Sequence, residues 1–213
     1  MGASCCDGPP PDVDIQHDDR YRRVLWAVLA INGVMFVAEI TAGLLAGSVS
    51  LQADALDFLG DTANYGISLF VVGMALRYRA MAALMKGASM GVFGLWVAGA
   101  TVLNLLGGTV PQAETMGIVG ALAFVANLTC FGLLYAYRNG DANMRSVWIC
   151  SRNDALGNVA VLLAAVGVFG TAQGWPDAVV AGIMAILALQ GAWVTIRAAM
   201  KELKSPEALA SGA

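Results

Sequence analysis

The chain has 213 residues, of which 58% are hydrophobic and 13% charged, with a net charge of −3. Soluble globular domains carry about 25% charged residues, so an ordinary cytosolic enzyme is excluded, and the apolar content equally excludes disorder over most of the length. A pI near 5.0 and a mean hydropathy of +0.69 argue against a nucleic-acid binder, and one His with four Cys supports neither a zinc-finger array nor a disulfide framework.

In chain order, residues 1–22 read as a flexible acidic cytosolic tail. Asp7, Asp12, Asp14, Asp18 and Asp19 crowd it, and Pro9-Pro10-Pro11 keeps it extended. Six apolar stretches follow, at 24–47, 51–76, 87–106, 115–137, 147–172 and 179–196, each near the roughly 20 residues a helix needs to cross a bilayer. The acidity of the tail and the length of the first stretch argue against a cleaved signal peptide. Turn residues separate the spans: Gly47-Ser48, Gly107-Gly108 with Pro111, Arg138-Asn139-Gly140-Asp141, and Gly174-Trp175-Pro176. Residues 201–213 form a second short cytosolic tail, which leaves 23–200 as a six-helix transmembrane domain.

Basic residues sort by side. Arg20, Arg22 and Arg23 precede the first span, Arg77, Arg79 and Lys86 follow the second, Arg138 and Arg145 follow the fourth, and Arg197, Lys201 and Lys204 close the chain. Only Arg152 falls inside a span. Cytoplasmic loops carry the Lys/Arg excess, so the expected fold is an all-α membrane protein with six transmembrane helices and both termini cytoplasmic.

Ionisable groups at bilayer depth are costly and by default functional. In the second span Asp54, Asp57, Asp61 and Asn64 follow offsets that place them on one stripe of a helix. Three stacked carboxylates repel unless a cation or protons neutralise them. In the fifth span Cys150, Asp154 and Asn158 form a second stripe. With a shift of a few residues in the span bounds, Asp57 and Asp61 on one helix and Cys150 and Asp154 on the other reach a common depth. Four O and S donors around one point suit a tetrahedral divalent ion. Taken singly, Cys150 reads more plainly as a small core residue, and Asn64, Asn127 and Asn158 as interhelical hydrogen-bonding groups; the combined pattern is what points to a metal.

These residues resemble the cation diffusion facilitators, six-helix transporters that export divalent metals from the cytosol in exchange for protons. Glu39-Ile40-Thr41-Ala42-Gly43-Leu44-Leu45-Ala46-Gly47-Ser48-Val49-Ser50-Leu51-Gln52-Ala53-Asp54-Ala55 resembles the first-to-second helix signature of that family. It leads into Asp57-xxx-Asp61, and Cys150-xxx-Asp154 is similar to the fifth-helix pair, with Cys150 standing where the family has His or Asp. The family's His-containing segment after the second helix has no counterpart at Arg77-Tyr78-Arg79-Ala80-Met81, and its cytosolic C-terminal domain is missing from these residues, a short form.

The resemblance implies a secondary transporter rather than an enzyme, a multi-pass protein of the cell membrane, and a homodimer. The Ala/Gly-rich composition suggests a bacterial inner membrane. Four anionic donors in lipid are untenable when empty, so protons should replace the metal and act as counter-ion. A thiolate favours Zn²⁺, Cd²⁺ or Co²⁺, while three carboxylates keep Mn²⁺ and Fe²⁺ in play. Asp54, Asn64, Asn158 and Glu39 are candidates for the ion path. Cys5, Cys6, Asp7 and His17 offer donors for metal capture in the tail, against the plainer reading of incidental cysteines. The alternative class is a cation-selective channel or passive permease using the same acids; a metal-dependent membrane hydrolase is disfavoured because no His follows His17.

Overall fold

A computed structural model describes residues 19–70, 76–137 and 142–204, with side chains for all of these except 19, 68, 76, 79, 137 and 142–153. The two outer tails, including Cys5, Cys6, Asp7 and His17, lie outside the described residues. The described chain is helical throughout: α1 (Asp19–Ala46), α2 (Val49–Phe70), α3 (Leu76–Gly107), α4 (Ala113–Leu134), a 3₁₀ turn over Tyr135–Tyr137, α5 (Ala142–Thr171) and α6 (Trp175–Leu203).

The elements match the expected order, but their ends do not match the expected bounds. α3 starts at Leu76 rather than 87, α1 already at Asp19, and α6 runs on to Leu203. The sequence reading stopped each span at its charges. Arg, Lys, Ala, Met and Leu are all strong helix formers, so the helices continue past the lipid. The 32 residues of α3 extend about 48 Å, well beyond a hydrocarbon core of about 30 Å.

α1, α3, α4, α5 and α6 are each long and apolar enough to cross a membrane. Among the described residues α2 is the exception, because Gln52, Asp54, Asp57 and Asp61 dilute its apolarity. It can hold them because it is the most surrounded helix: α1, α3, α5 and α6 all pack against it. α3 pairs with α6, and α4 with α5. Large side chains such as Leu45, Leu106 and Phe169 point outward, an apolar surface a soluble monomer would not expose and a bilayer requires.

Two apolar cores sit at opposite ends of the bundle. One gathers Val49, Leu51, Leu56, Val97, Met116, Val161 and Met184, and the other Tyr21, Leu25, Val28, Tyr65, Cys130 and Leu134. Between them runs a polar layer, which holds the candidate site.

The α1–α2 corner fixes how α2 enters that layer. Gly47 turns with φ +68°, a conformation glycine adopts without steric cost. At Gly43 a Cβ would stand 3.0 Å from the backbone nitrogen of Gln52, so the close approach of α1 to α2 needs a glycine. The first turn of α2 is then capped from another helix. Asp177 of α6 accepts hydrogen bonds from the backbone N–H groups of Val49 (2.9 Å) and Ser50 (3.1 Å) and from Ser48 Oγ (2.7 Å). Ser48 Oγ in turn accepts from the Leu51 N–H at 3.2 Å. The helix-terminal donors that lack intrahelical partners are thereby satisfied in a buried setting.

Glycines also set the spacing of α3 against α6. A Cβ at Gly87 would meet Ile196 at 2.9 Å, and one at Gly91 would touch Ala192. This small-residue face lets α3 and α6 of one chain approach closely and is not free to form a seam between copies.

Candidate functional site

The stripe on α2 faces inward as its period requires, and its polar groups fall into two sets. Toward the α1–α2 corner, Asp54 is almost fully buried and accepts a hydrogen bond from Asn158 Nδ2 of α5 at 2.5 Å. Asn158 Oδ1 accepts from Asn127 Nδ2 of α4 at 2.9 Å. Glu39 of α1, with no exposed surface, lies beside Asp54, near enough for the two carboxyl groups to share a hydrogen bond. Four helices thus contribute to one enclosed polar group.

Farther along α2 the second set is assembled. Asp61 accepts a hydrogen bond from Tyr65 Oη at 2.9 Å and faces Asp154 of α5, near enough for the two carboxyl groups to share a hydrogen bond. Asp57 lies between the sets, within electrostatic reach of both Asp54 and Asp61. Its residue is half-buried, and its Oδ2 is buried with no hydrogen-bond partner among the described groups. Asn64 accepts from Lys86 Nζ of α3.

The expected residues are therefore distributed as follows. Asp61 and Asp154 come together, Asp57 adjoins Asp61, and Asp54, Asn158 and Glu39 group one step farther along. Cys150 is on α5, four residues before Asp154 and so on the same helix face; its side chain lies outside the described residues. Among the described residues no three His, Cys, Asp or Glu side chains converge on one point as in a closed metal site.

Three neighbours escaped the sequence reading. Lys86, read there as a cytosolic loop charge, is buried within α3. Cys130 of α4 lies within electrostatic reach of both Asp61 and Asp154, its sulfur 3.5 Å from Asn32 Nδ2. Tyr65 continues the acidic stripe one turn beyond Asp61. The signal for Tyr65 and Lys86 was present: a tyrosine at i+4 from an acid, and a lysine followed directly by an apolar helix.

Long apolar helices around a buried acidic layer define a multi-pass membrane protein that gathers its acids in the interior of the bundle. Residues 25–204 match the family model described as the cation efflux transmembrane domain, and the chain belongs to that family, the cation diffusion facilitators. It is 23% identical over 201 residues to the metal cation efflux system protein CzcD of Cupriavidus metallidurans, covering 88% of this chain and 63% of that protein. It is 26% identical to the zinc transporter ZitB of Yersinia pestis, covering 87% and 64%. It is 24% identical to the cadmium, cobalt and zinc/H(+)-K(+) antiporter of Bacillus subtilis, covering 80% and 59%. The chain thus spans somewhat less than two thirds of the length of these relatives.

Proposed function

We propose that this chain exports divalent metal cations of the zinc class from the cytosol across a bacterial cell membrane in exchange for protons, with Asp57, Asp61, Cys150 and Asp154 as the ligands. The observation that carries the proposal is the meeting of Asp61 of α2 with Asp154 of α5 in the interior of the bundle. Two carboxylates from different helices, with Asp57 one turn away and Cys150 on the same face as Asp154, supply the O and S donors a divalent ion takes. The relatives named for zinc, cadmium and cobalt support that choice of cargo, and the antiporter name of the Bacillus relative supports proton coupling.

The mechanism follows from charge. Acidic donors packed together in lipid need a cation or protons. A metal binds only their deprotonated forms and so releases protons. Where the site opens to the cytosol, metal displaces protons; where it opens outward, protons displace metal. Both termini lie in the cytosol in this reading, residues 23–200 act as the transport unit, and two copies form the working assembly.

The test is metal uptake into proteoliposomes under an imposed pH gradient, for the parent, Asp57→Ala and Asp154→Ala. Either substitution is expected to abolish uptake while the helical content is retained. Parental rates in both variants would contradict the ligand assignment. Uphill transport driven by the gradient separates an antiporter from a channel, which would only dissipate it.

A further inference from the structure

A lysine in the interior of a membrane helix is costly unless it is paired, and Lys86 is only 5% exposed. Its position in α3 lies roughly 15 Å along the helix from Leu76. A lysine near a membrane surface would ordinarily extend its stem toward water. Lys86 instead crosses to α2, where its ammonium donates to Asn64 Oδ1 and stands within electrostatic reach of Asp61. Asn64 is the next member of the aspartate stripe after Asp61. Among the residues with described side chains, every other basic group is exposed, so Lys86 is the one positive charge directed at the polar layer.

We infer that Lys86 is the resident counter-cation of the Asp61–Asp154 site, sharing its carboxylates with the transported divalent ion and so setting how tightly that ion is held. The inference rests on the metal reading of Asp61 and Asp154 given above. Repulsion from a fixed unit charge is twice as large for a divalent ion as for a proton at the same distance. A lysine here therefore opposes entry of the metal into the site. It lowers metal affinity and keeps the site able to release its cargo, whereas a site made of acids alone would hold the metal.

The test compares Zn²⁺ binding by titration calorimetry, and KM and kcat for Zn²⁺ in proteoliposomes, across the parent, Lys86→Met, Lys86→Arg and Asp61→Asn. Lys86→Met is expected to tighten Zn²⁺ binding by about tenfold, the equivalent of about 1.4 kcal/mol, with KM and kcat falling together. Lys86→Arg should stay within about twofold of the parent, since it keeps the charge. A purely packing role would weaken binding and transport alike, so unchanged or weaker binding in a folded Lys86→Met overturns the inference. If Lys86→Met does not fold, Asn64→Leu decides. Loss of the acceptor frees the ammonium to move onto Asp61 and should weaken Zn²⁺ binding by about threefold; unchanged or tighter binding overturns the inference. Equal Zn²⁺ binding by the parent and Asp61→Asn would instead overturn the metal reading, and this inference with it.

Discussion

The two sets along α2 use the same residue type on the same helix face and differ in their surroundings. Around Asp54, carboxyl and carboxamide groups from α1, α2, α4 and α5 are enclosed, and Asn158 is wholly buried between its two partners. Around Asp61, neighbouring Asp57, Asn64 and Asp154 are each half-buried, and a lysine lies among the acids. The first arrangement resembles a brace, in which Asn127 donates to Asn158 and Asn158 donates to the Asp54 carboxylate. The second gathers three carboxylates with one ammonium in a less enclosed setting, which under the proposed function leaves room for an exchangeable cation. An intramembrane acid is informative only together with its partners.

That contrast predicts which substitutions affect transport and which affect stability. The largest effect is expected at Asp61→Asn, which retains an acceptor for Tyr65 but removes the charge. Metal transport should fall by more than about 100-fold, beyond the 10–100-fold typical of groups supporting a metal ligand, with the melting temperature near that of the parent. In the enclosed set, Asn158→Leu should act the other way. It removes the amide donor to Asp54 and the acceptor of Asn127, which costs about 2–4 kcal/mol; this is readable as a lowered melting temperature with transport reduced only severalfold. An Asn158→Leu protein with parental stability would remove the distinction between brace and site.

A smaller effect is expected at the cap. Asp177→Ala strips the first turn of α2 of its acceptor and should cost about 2 kcal/mol, visible as fraying of that turn by hydrogen exchange. Smallest is Cys150→His, which keeps a donor and should preserve transport while shifting preference among Zn²⁺, Cd²⁺ and Co²⁺ by a few-fold. An unchanged ranking would count against Cys150 as a ligand.

The aspartate stripe was legible because a helix of 3.6 residues per turn converts offsets of three and four into one face, whatever surrounds it. The number and order of helices were legible because lipid demands long apolar runs. Helix ends were not, since a charged residue stops the membrane-embedded part of a helix without stopping the helix; α3 is the clearest instance. Lys86 follows the same rule: its charge sits inside α3 and against α2 rather than in a cytosolic loop. Asp177 left no local trace, because the groups it caps are more than a hundred residues earlier in the chain. The division of the acids into two sets depended on which asparagine and which lysine reach across from other helices, and helical period alone does not supply that.

The most direct measurement is zinc K-edge X-ray absorption on the metal-loaded protein and on Cys150→Ser. The account predicts a four-coordinate first shell with one sulfur at about 2.3 Å and oxygens at about 2.0–2.2 Å, and loss of the sulfur in Cys150→Ser. A shell without sulfur in the parent, or sulfur persisting in Cys150→Ser, would contradict the placing of one cation between α2 and α5.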